Sequence, residues 1–360
     1  DLTPTDDQRM ITEAVTEFAR ERLRPAAPAA DEACETSPDV FATAAEIGIP
    51  LLGVPDELGG VAAERSATTT VLVAEALATG DMGQAVACLA PAAVSTALVL
   101  WGDADQQATY LPEFVGENPP AAALTLLEPR PLFDPFTLHT KAHRTSSGFV
   151  LDGVKSLVPR ASAAELFVVA ADLEGRGPAL FVVESATPGL AVEAEPAMGL
   201  RAAGMGRLVL DHVALPATAL LGDADAYREC VRLSRLGWCA LAVGTAQAVL
   251  DYVIPYVNER VAFGEPVSHR QGVAFRVADI GIELEGMRLV TYRAASRADQ
   301  GKPYAREVAL ARKLCTDKGM AIGSDGVQLL GGHGYVKEHP VERWYRDLRA
   351  IGVAEGIVLV

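Results

Sequence analysis

The chain has 360 residues, with 31 Lys and Arg against 47 Asp and Glu, a formal charge of −16 and a pI near 4.8. That balance excludes non-specific attraction to nucleic acid or to an anionic membrane surface, both of which need a positive field. Half of the residues are apolar but only 6% are aromatic, a composition of packed elements with small contact residues and too apolar for a disordered chain; the length is enough for about two to three domains.

From residue 4 to about 118 the hydrophobic period is helical. Ile11, Ala14, Val15 and Phe18 fall on one face, and Thr3 or Thr5 is placed to cap that helix. The turn Val54-Pro-Asp-Glu-Leu-Gly-Gly60 punctuates the region. No secretory signal occupies residues 1–20. The most apolar stretch, 67–101, is broken by Glu75, Asp81 and Pro91, so no membrane span of ~20 residues is expected. From about 121 to 217 the pattern turns strand-like. Ser147–Gly153 ends in Asp-Gly, a hairpin signal, and 166–171, 179–183 and 206–216 are further short apolar runs. Short strands without intervening helices predict an antiparallel barrel or sandwich, since a parallel sheet needs crossover helices. From about 222 the helical period returns. Phe275, Ala278, Ile282 and Leu289 share one face, and Val308, Ala311, Cys315 and Ile322 another, the pattern of an antiparallel bundle. The expected organisation is therefore an N-terminal helical domain (1–120), a middle β-domain (121–220) and a C-terminal helical bundle (221–360) in an α+β fold.

The five cysteines are scattered, odd in number and without a C-x-x-C, which points to buried thiols in a reducing, cytoplasmic setting rather than to disulfides or zinc. The six histidines show no metal-ligand spacing. Four features carry possible chemistry. Gly331-Gly-His-Gly-Tyr335 reads as a helix-ending turn or as a place where backbone approaches a ligand. Arg260-Val-Ala-Phe-Gly264 with His269-Arg270-Gln271 reads as a solvated basic loop or as a phosphate contact. Glu355, in Val353-Ala-Glu-Gly356, is a surface carboxylate or, if buried, a general base. Arg235 lies in a very apolar helix, where it needs either an ion-pair partner or an anionic ligand.

Taken together these pieces resemble the acyl-CoA dehydrogenase family, with the closest likeness to its actinobacterial members. The match runs from Gln8-Arg-Met10, Arg24-Pro25, the 54–60 turn, Glu75 and 107–112 to the last third. There Arg260-x-x-Phe-Gly264, Gln271, Gln328-Leu-Leu-Gly-Gly-His-Gly-Tyr335, Glu338, Pro340, Glu342 and Arg346-Asp347 keep the family spacing, and Glu355 stands where the family keeps the Glu of Tyr-Glu-Gly-Thr. The resemblance implies helical, β and four-helix-bundle domains, and tetramers with FAD at a subunit interface. It implies FAD held by Arg260, Phe263 and Gln271, with Gln328, Gly331 and Gly332 at the adenosine end. It places Arg235 and Gly356 at the acyl-CoA and makes Glu355 the base that removes the α-proton while the β-hydrogen leaves as hydride to flavin N5. Ser234, at the alternative base position of some members, cannot act as a base. Electrons would pass to an electron-transfer flavoprotein.

The flavin cradle departs from the family. Where the family reads Thr-Glu-Pro-x-x-Gly-Ser-Asp, this chain has Leu127-Glu-Pro-Arg-Pro-Leu-Phe-Asp134, and Leu157-Val-Pro159 replaces Trp-Ile-Thr/Ser. Leu127 and Pro159 remove two polar contacts to the ring, each worth roughly 1 kcal/mol net, and Phe133 adds bulk where the family keeps small residues. Two functions follow as expectations: an acyl-CoA dehydrogenase with an unusually apolar flavin pocket, or a flavin-poor subunit of a heterotetramer that completes a paralogue's FAD site. An oxidase on the same fold is a third, less favoured reading.

Overall fold

The computed structural model describes residues 2–116 and 118–360. Six helices come first: α1 (Asp6–Phe18), α2 (Arg24–Ala33), α3 (Pro38–Glu46), α4 (Ala67–Gly80), α5 (Met82–Trp101) and α6 (Ala104–Phe114). Thr5 caps α1 as expected, its hydroxyl accepting from Gln8 N while the Gln8 side chain accepts from Thr5 N, a reciprocal capping box. Asp81 ends α4 and starts α5, accepting from Gln84 N at 2.8 Å. α5 is 20 residues of high hydropathy, long and apolar enough to cross a membrane, but 89% of that window is wrapped by the rest of the chain. The sequence breaks at Glu75 and Asp81 fall in α4 and at the α4–α5 joint, so they do not interrupt α5. Glu75 instead reaches the C-terminal bundle, accepting from Arg288 Nε at 2.9 Å and Tyr292 OH at 2.6 Å.

The middle segment is one sheet of eight strands: β1 (Ala122–Thr125), β2 (Lys141–Arg144), β3 (Gly148–Val158), β4 (Leu166–Leu173), β5 (Gly177–Glu184), β6 (Leu190–Ala194), β7 (Gly206–Pro216) and β8 (Leu220–Leu221). The order is β6-β7-β3-β2-β4-β5-β8, with β1 paired to β4. Most pairings are antiparallel, but β1–β4 and β2–β4 run parallel. The Asp152-Gly153 signal is not a turn. β3 runs straight through it with a register shift opposite β7, and Gly153 is required there because a Cβ would lie 2.6 Å from the Thr140 Cα. The face packed around Phe149, Phe167 and Phe181 forms a core separate from the helical one.

The C-terminal segment begins with α7 (Ala224–Glu259), followed by a short hairpin of β9 (Val261–Ala262) and β10 (Glu265–Pro266). It continues with α8 (Gln271–Asp299), α9 (Ala305–Leu329) and α10 (Val341–Leu348). The Val308/Ala311/Cys315/Ile322 face of α9 is buried as expected. The α8 expectation is wrong in direction. Phe275, Ile282 and Leu289 are 62%, 69% and 54% exposed, and α8 buries Ile280, Leu284, Met287, Thr291 and Ala294 instead. Of the five cysteines, all free, four are buried and Cys34 is exposed.

Candidate active site

After α10 the chain makes a single helical turn (Arg349–Gly352) and then runs without helix through Glu355 to buried residues 357–360. Gly356 and Ile357 both take left-handed backbone, φ 73° and 74°, a costly conformation for a β-branched residue. The surroundings hold it. Gly356 N donates to Ser234 Oγ at 3.2 Å, Trp238 Nε1 donates to Gly356 O at 2.9 Å, and Gly356 bridges Thr125 of β1. A Cβ on Gly356 would come within 3.1 Å of the Leu126 side chain. This turn seats Glu355 where α7, α9 and the sheet meet.

Glu355 is buried, at 5% exposure. Arg235 Nε contacts both carboxylate oxygens, at 3.0 and 3.1 Å, and its Nη2 contacts Oε1 at 2.5 Å. Arg312, from α9, lies 3.6 Å from Oε1 and donates from Nη2 to the Ala354 carbonyl at 2.8 Å. Its Nη1 is buried without a partner among the described residues. Burial alone would lower the Arg235 guanidinium, but the hydrogen bonds and charge of Glu355 raise it above its ordinary value. Burial lowers Arg312, and Glu355 only partly offsets this. Two guanidinium groups therefore share one carboxylate, leaving one positive charge uncompensated at the site. A groove of about 450 Å³ between α7 and α9 opens onto Arg235 and Arg312, with Phe136 on its rim and Arg228, Arg232 and Lys313 along it. Phe136 is set by the 128–140 loop, which docks on α7 through Tyr227 OH to Pro135 O (2.5 Å) and an edge-on Phe136–Tyr227 contact.

The remaining predicted residues divide into two places. Arg260, Gln328, Gly331 and Gly332 come together around a second groove of about 560 Å³, with Tyr256 and His333 hydrogen-bonded to each other at 2.7 Å beside them. Arg260 is exposed with no ion pair or side-chain hydrogen bond among the described residues, and no atom lies within 4 Å of where a Cβ on Gly331 or Gly332 would stand. Gln271 starts α8, and Phe263 is 97% exposed at the β9–β10 turn; neither lines this groove in the single chain. Leu127, Phe133 and Pro159 belong to the sheet side. Leu127 is buried, Phe133 packs on the helical core with the Arg130 guanidinium 5.2 Å above its ring, and Pro159 closes β3. The polar groups left in that stretch are already engaged, because Glu195 accepts from Ser156 Oγ at 2.8 Å and from Leu157 N at 2.6 Å. The donor set of the bundle groove thus fits a pyrophosphate and a close-lying nucleotide, whereas the sheet side offers an apolar face without a free hydroxyl from 127 or 159.

Arg312 and Trp238 were not foreseen as site residues, and Ser234 was placed at the alternative base position without its role as acceptor for Gly356 N. The available signal was Arg312 itself, a cation four residues after Val308 on the buried face of α9.

Beneath the cradle, Glu128 is buried. Burial pushes its carboxyl up, but the Lys155 ammonium and the N–H groups of Thr140 and His139 outweigh this and hold it at about 2. Burial brings Lys155 down to about 8 despite Glu128.

Three family models match in chain order. They are an acyl-CoA dehydrogenase N-terminal domain over 5–118, a middle domain over 122–213 and a C-terminal domain over 225–357. A short/branched chain specific acyl-CoA dehydrogenase of Rattus norvegicus is 32% identical over 364 residues, covering 98% of this chain and 83% of the relative. A butyryl-CoA dehydrogenase structure from Megasphaera elsdenii superposes with a TM-score of 0.90 at 27% identity, covering 99% of this chain and 96% of that one. The FAD complex of PigA gives 0.91 at 25% identity, over 99% and 95%.

Proposed function

This chain belongs to the acyl-CoA dehydrogenase family, and from that premise we propose that it carries out α,β-dehydrogenation of an acyl-CoA thioester with Glu355 as the α-proton acceptor. The observation that carries the reading is the buried Glu355 clamped by Arg235 and Arg312, the two arginines that also line a cation-rich groove. The groove suits a CoA thioester, with Arg228, Arg232 and Lys313 toward the phosphates and the acyl end toward Glu355. Oε1 meets both arginines and Oε2 meets only Arg235 Nε, so Oε2 keeps more free lone-pair capacity and is the proton-accepting atom. When it takes the proton, negative charge passes from Glu355 to the thioester enolate. The arginines stay in place, so the site's charge balance is kept without reorganisation. Gly356 belongs to the substrate side because its peptide, fixed by Ser234 and Trp238, sets the height of Glu355.

FAD fits as the cofactor, and when bound it supplies the hydride acceptor. Arg260, Gln328, Gly331 and Gly332 would hold its pyrophosphate and adenosine, with Phe263 and Gln271 completing that end from the same loop and helix. Leu127, Phe133 and Pro159 would form an apolar bed for the ring. Ser234 and Arg260 lie on α7 and at its end, 26 positions apart, or about 39 Å at helical rise. That span exceeds an extended dinucleotide, so the bundle groove of one chain serves the Glu355 centre of another. The outward stripe of Phe275, Ile282 and Leu289 on α8 suits such an oligomer, a tetramer by family likeness. An electron-transfer flavoprotein would reoxidise the flavin.

The missing cradle hydroxyls favour a second reading, in which this chain is a flavin-poor subunit that completes a paralogue's site. Flavin per protomer and acyl-CoA-dependent dye reduction, measured on the chain purified alone, separate the two. Near-stoichiometric flavin with turnover supports the first. A colourless protein that becomes flavinylated only with a paralogue supports the second.

A further inference from the structure

A third groove lies away from Glu355 and from the bundle groove, and it shares no residue with either. Its volume is about 400 Å³, and it runs between the helical domain and the turn that follows β3. One wall is apolar, formed by Phe41, Pro38, Pro50, Pro91, Ala163 and Ala203, while Thr36, Asn118 and Ser162 bring polar groups to the rest of the lining. Among the described residues Arg160 is the one cation and Glu35 the one carboxylate on the lining. The Arg160 guanidinium lies 3.6 Å from the Phe41 ring centroid and makes no ion pair and no side-chain hydrogen bond among the described residues. Burial pushes it below its ordinary value, with the Cys88 and Glu35 charges opposing.

The side chain is delivered by an awkward backbone. Arg160 sits at φ 49°, held by its own N–H donating to Ala203 O at 2.8 Å and by its carbonyl accepting from Ala163 N and Ala164 N at 2.9 Å each. A half-desolvated guanidinium with one face covered by a phenyl ring keeps its edge donors free, and such a group recognises a planar oxyanion in a forked geometry. The phenyl ring, prolines and alanines of one wall give an apolar ligand body a surface to pack on.

We propose that this groove binds an organic monocarboxylate with a compact apolar body, its carboxylate on the free edge of Arg160 and its body along the Phe41–proline wall. The reading is independent of the dehydrogenase assignment. The groove carries its own reporter. Cys34 lines it and is exposed, while the other four thiols are buried, Cys88 being pushed up to about 12 by burial.

The test is the rate of N-ethylmaleimide modification of Cys34 in the whole purified protein, followed by mass spectrometry. Benzoate, octanoate and inorganic phosphate are each titrated at fixed ionic strength. The expected result is saturable slowing by benzoate or octanoate and none by phosphate. Arg160→Gln should raise the half-protecting concentration about tenfold, the loss expected of a charge-assisted contact, and Arg160→Lys should retain part of the protection. Labelling confined to Cys34 in the ligand-free variants shows that their cores remain closed. Absence of protection by both carboxylates overturns the proposal. So does equal protection in Arg160→Gln, or phosphate protecting as well as the carboxylates.

Discussion

Replacing Glu355 by Gln tests the proposed base with almost no change in shape. The amide keeps one accepting oxygen for Arg235 and loses the charge that Arg235 and Arg312 share. The three side chains are 7%, 31% and 15% exposed. Breaking a fully buried pair costs about 3–5 kcal/mol. With a third of Arg235 in water and one hydrogen bond retained, about 2 kcal/mol is expected. For a chain of this length, with an unfolding entropy near 2.1 cal/mol/K per residue, that lowers Tm by about 3 °C. Turnover should fall much further, by about 10²–10⁴, the range for removal of a general base, or about 3–5 kcal/mol of barrier. Thermal denaturation and acyl-CoA-dependent dye reduction, measured on the same flavin-loaded sample, read the two effects separately. A variant with lowered Tm and unchanged kcat would refute the mechanism, because Glu355 would then be only the counter-ion that keeps two arginines buried.

Arg312→Met should lower kcat by about tenfold or more while Arg312→Lys keeps most of it, since the charge beside Oε1 matters more than the fork; equal loss in both would point to packing alone. Gly356→Ala should cost about 1–3 kcal/mol, read by thermal denaturation, because its φ of 73° is left-handed and the new methyl meets Leu126 at 3.1 Å. Pro159→Thr should tighten FAD about fivefold in a flavin-binding titration, one ordinary hydrogen bond being worth about 1 kcal/mol; an unchanged affinity would mean that the ring does not lie against residue 159. Glu128 is held at about 2 against an ordinary 4.5. Its contribution to stability is therefore complete above about pH 4.5 and is lost as pH falls toward 2. The Tm gap between the wild type and Glu128→Gln should accordingly close over that interval.

The alternation of helical and strand periods was enough to place three segments, because buried faces recur at 3.6 or 2 residues whatever the partner. Periodicity shows that a face exists without showing what covers it. Phe275, Ile282 and Leu289 do share a face of α8, yet it points outward, and the inward face is the less conspicuous run through Ile280, Leu284 and Met287. Asp152-Gly153 has turn composition, but Thr140 lies so close that only glycine fits in a continuing strand. Glu355 and Arg235 were legible through motif spacing. Arg312 and Trp238 were not, since their roles arise only when α9 and α7 pack against a turn that is remote in sequence.

The acidity of the chain also acquires a structural reading. A protein of charge −16 that handles polyanions needs cations that can be released from their own carboxylates. In the groove leading to Glu355, Arg228 pairs with Asp225, Arg232 with Glu229 at 2.5 Å and Lys313 with Asp317, each on its own helix at i,i+3 or i,i+4. Such pairs are worth about 0–1 kcal/mol when exposed, so a phosphate can take any of the three cations with little opposition. The Arg235–Glu355 pair is different. Glu355 is buried, Arg235 is about two-thirds covered, and the two meet at several atoms, so separating them costs more than parting an exposed pair. A CoA thioester entering this groove would exchange weak surface partners along its length and leave the inner clamp intact, which keeps Glu355 in position as the acyl end arrives.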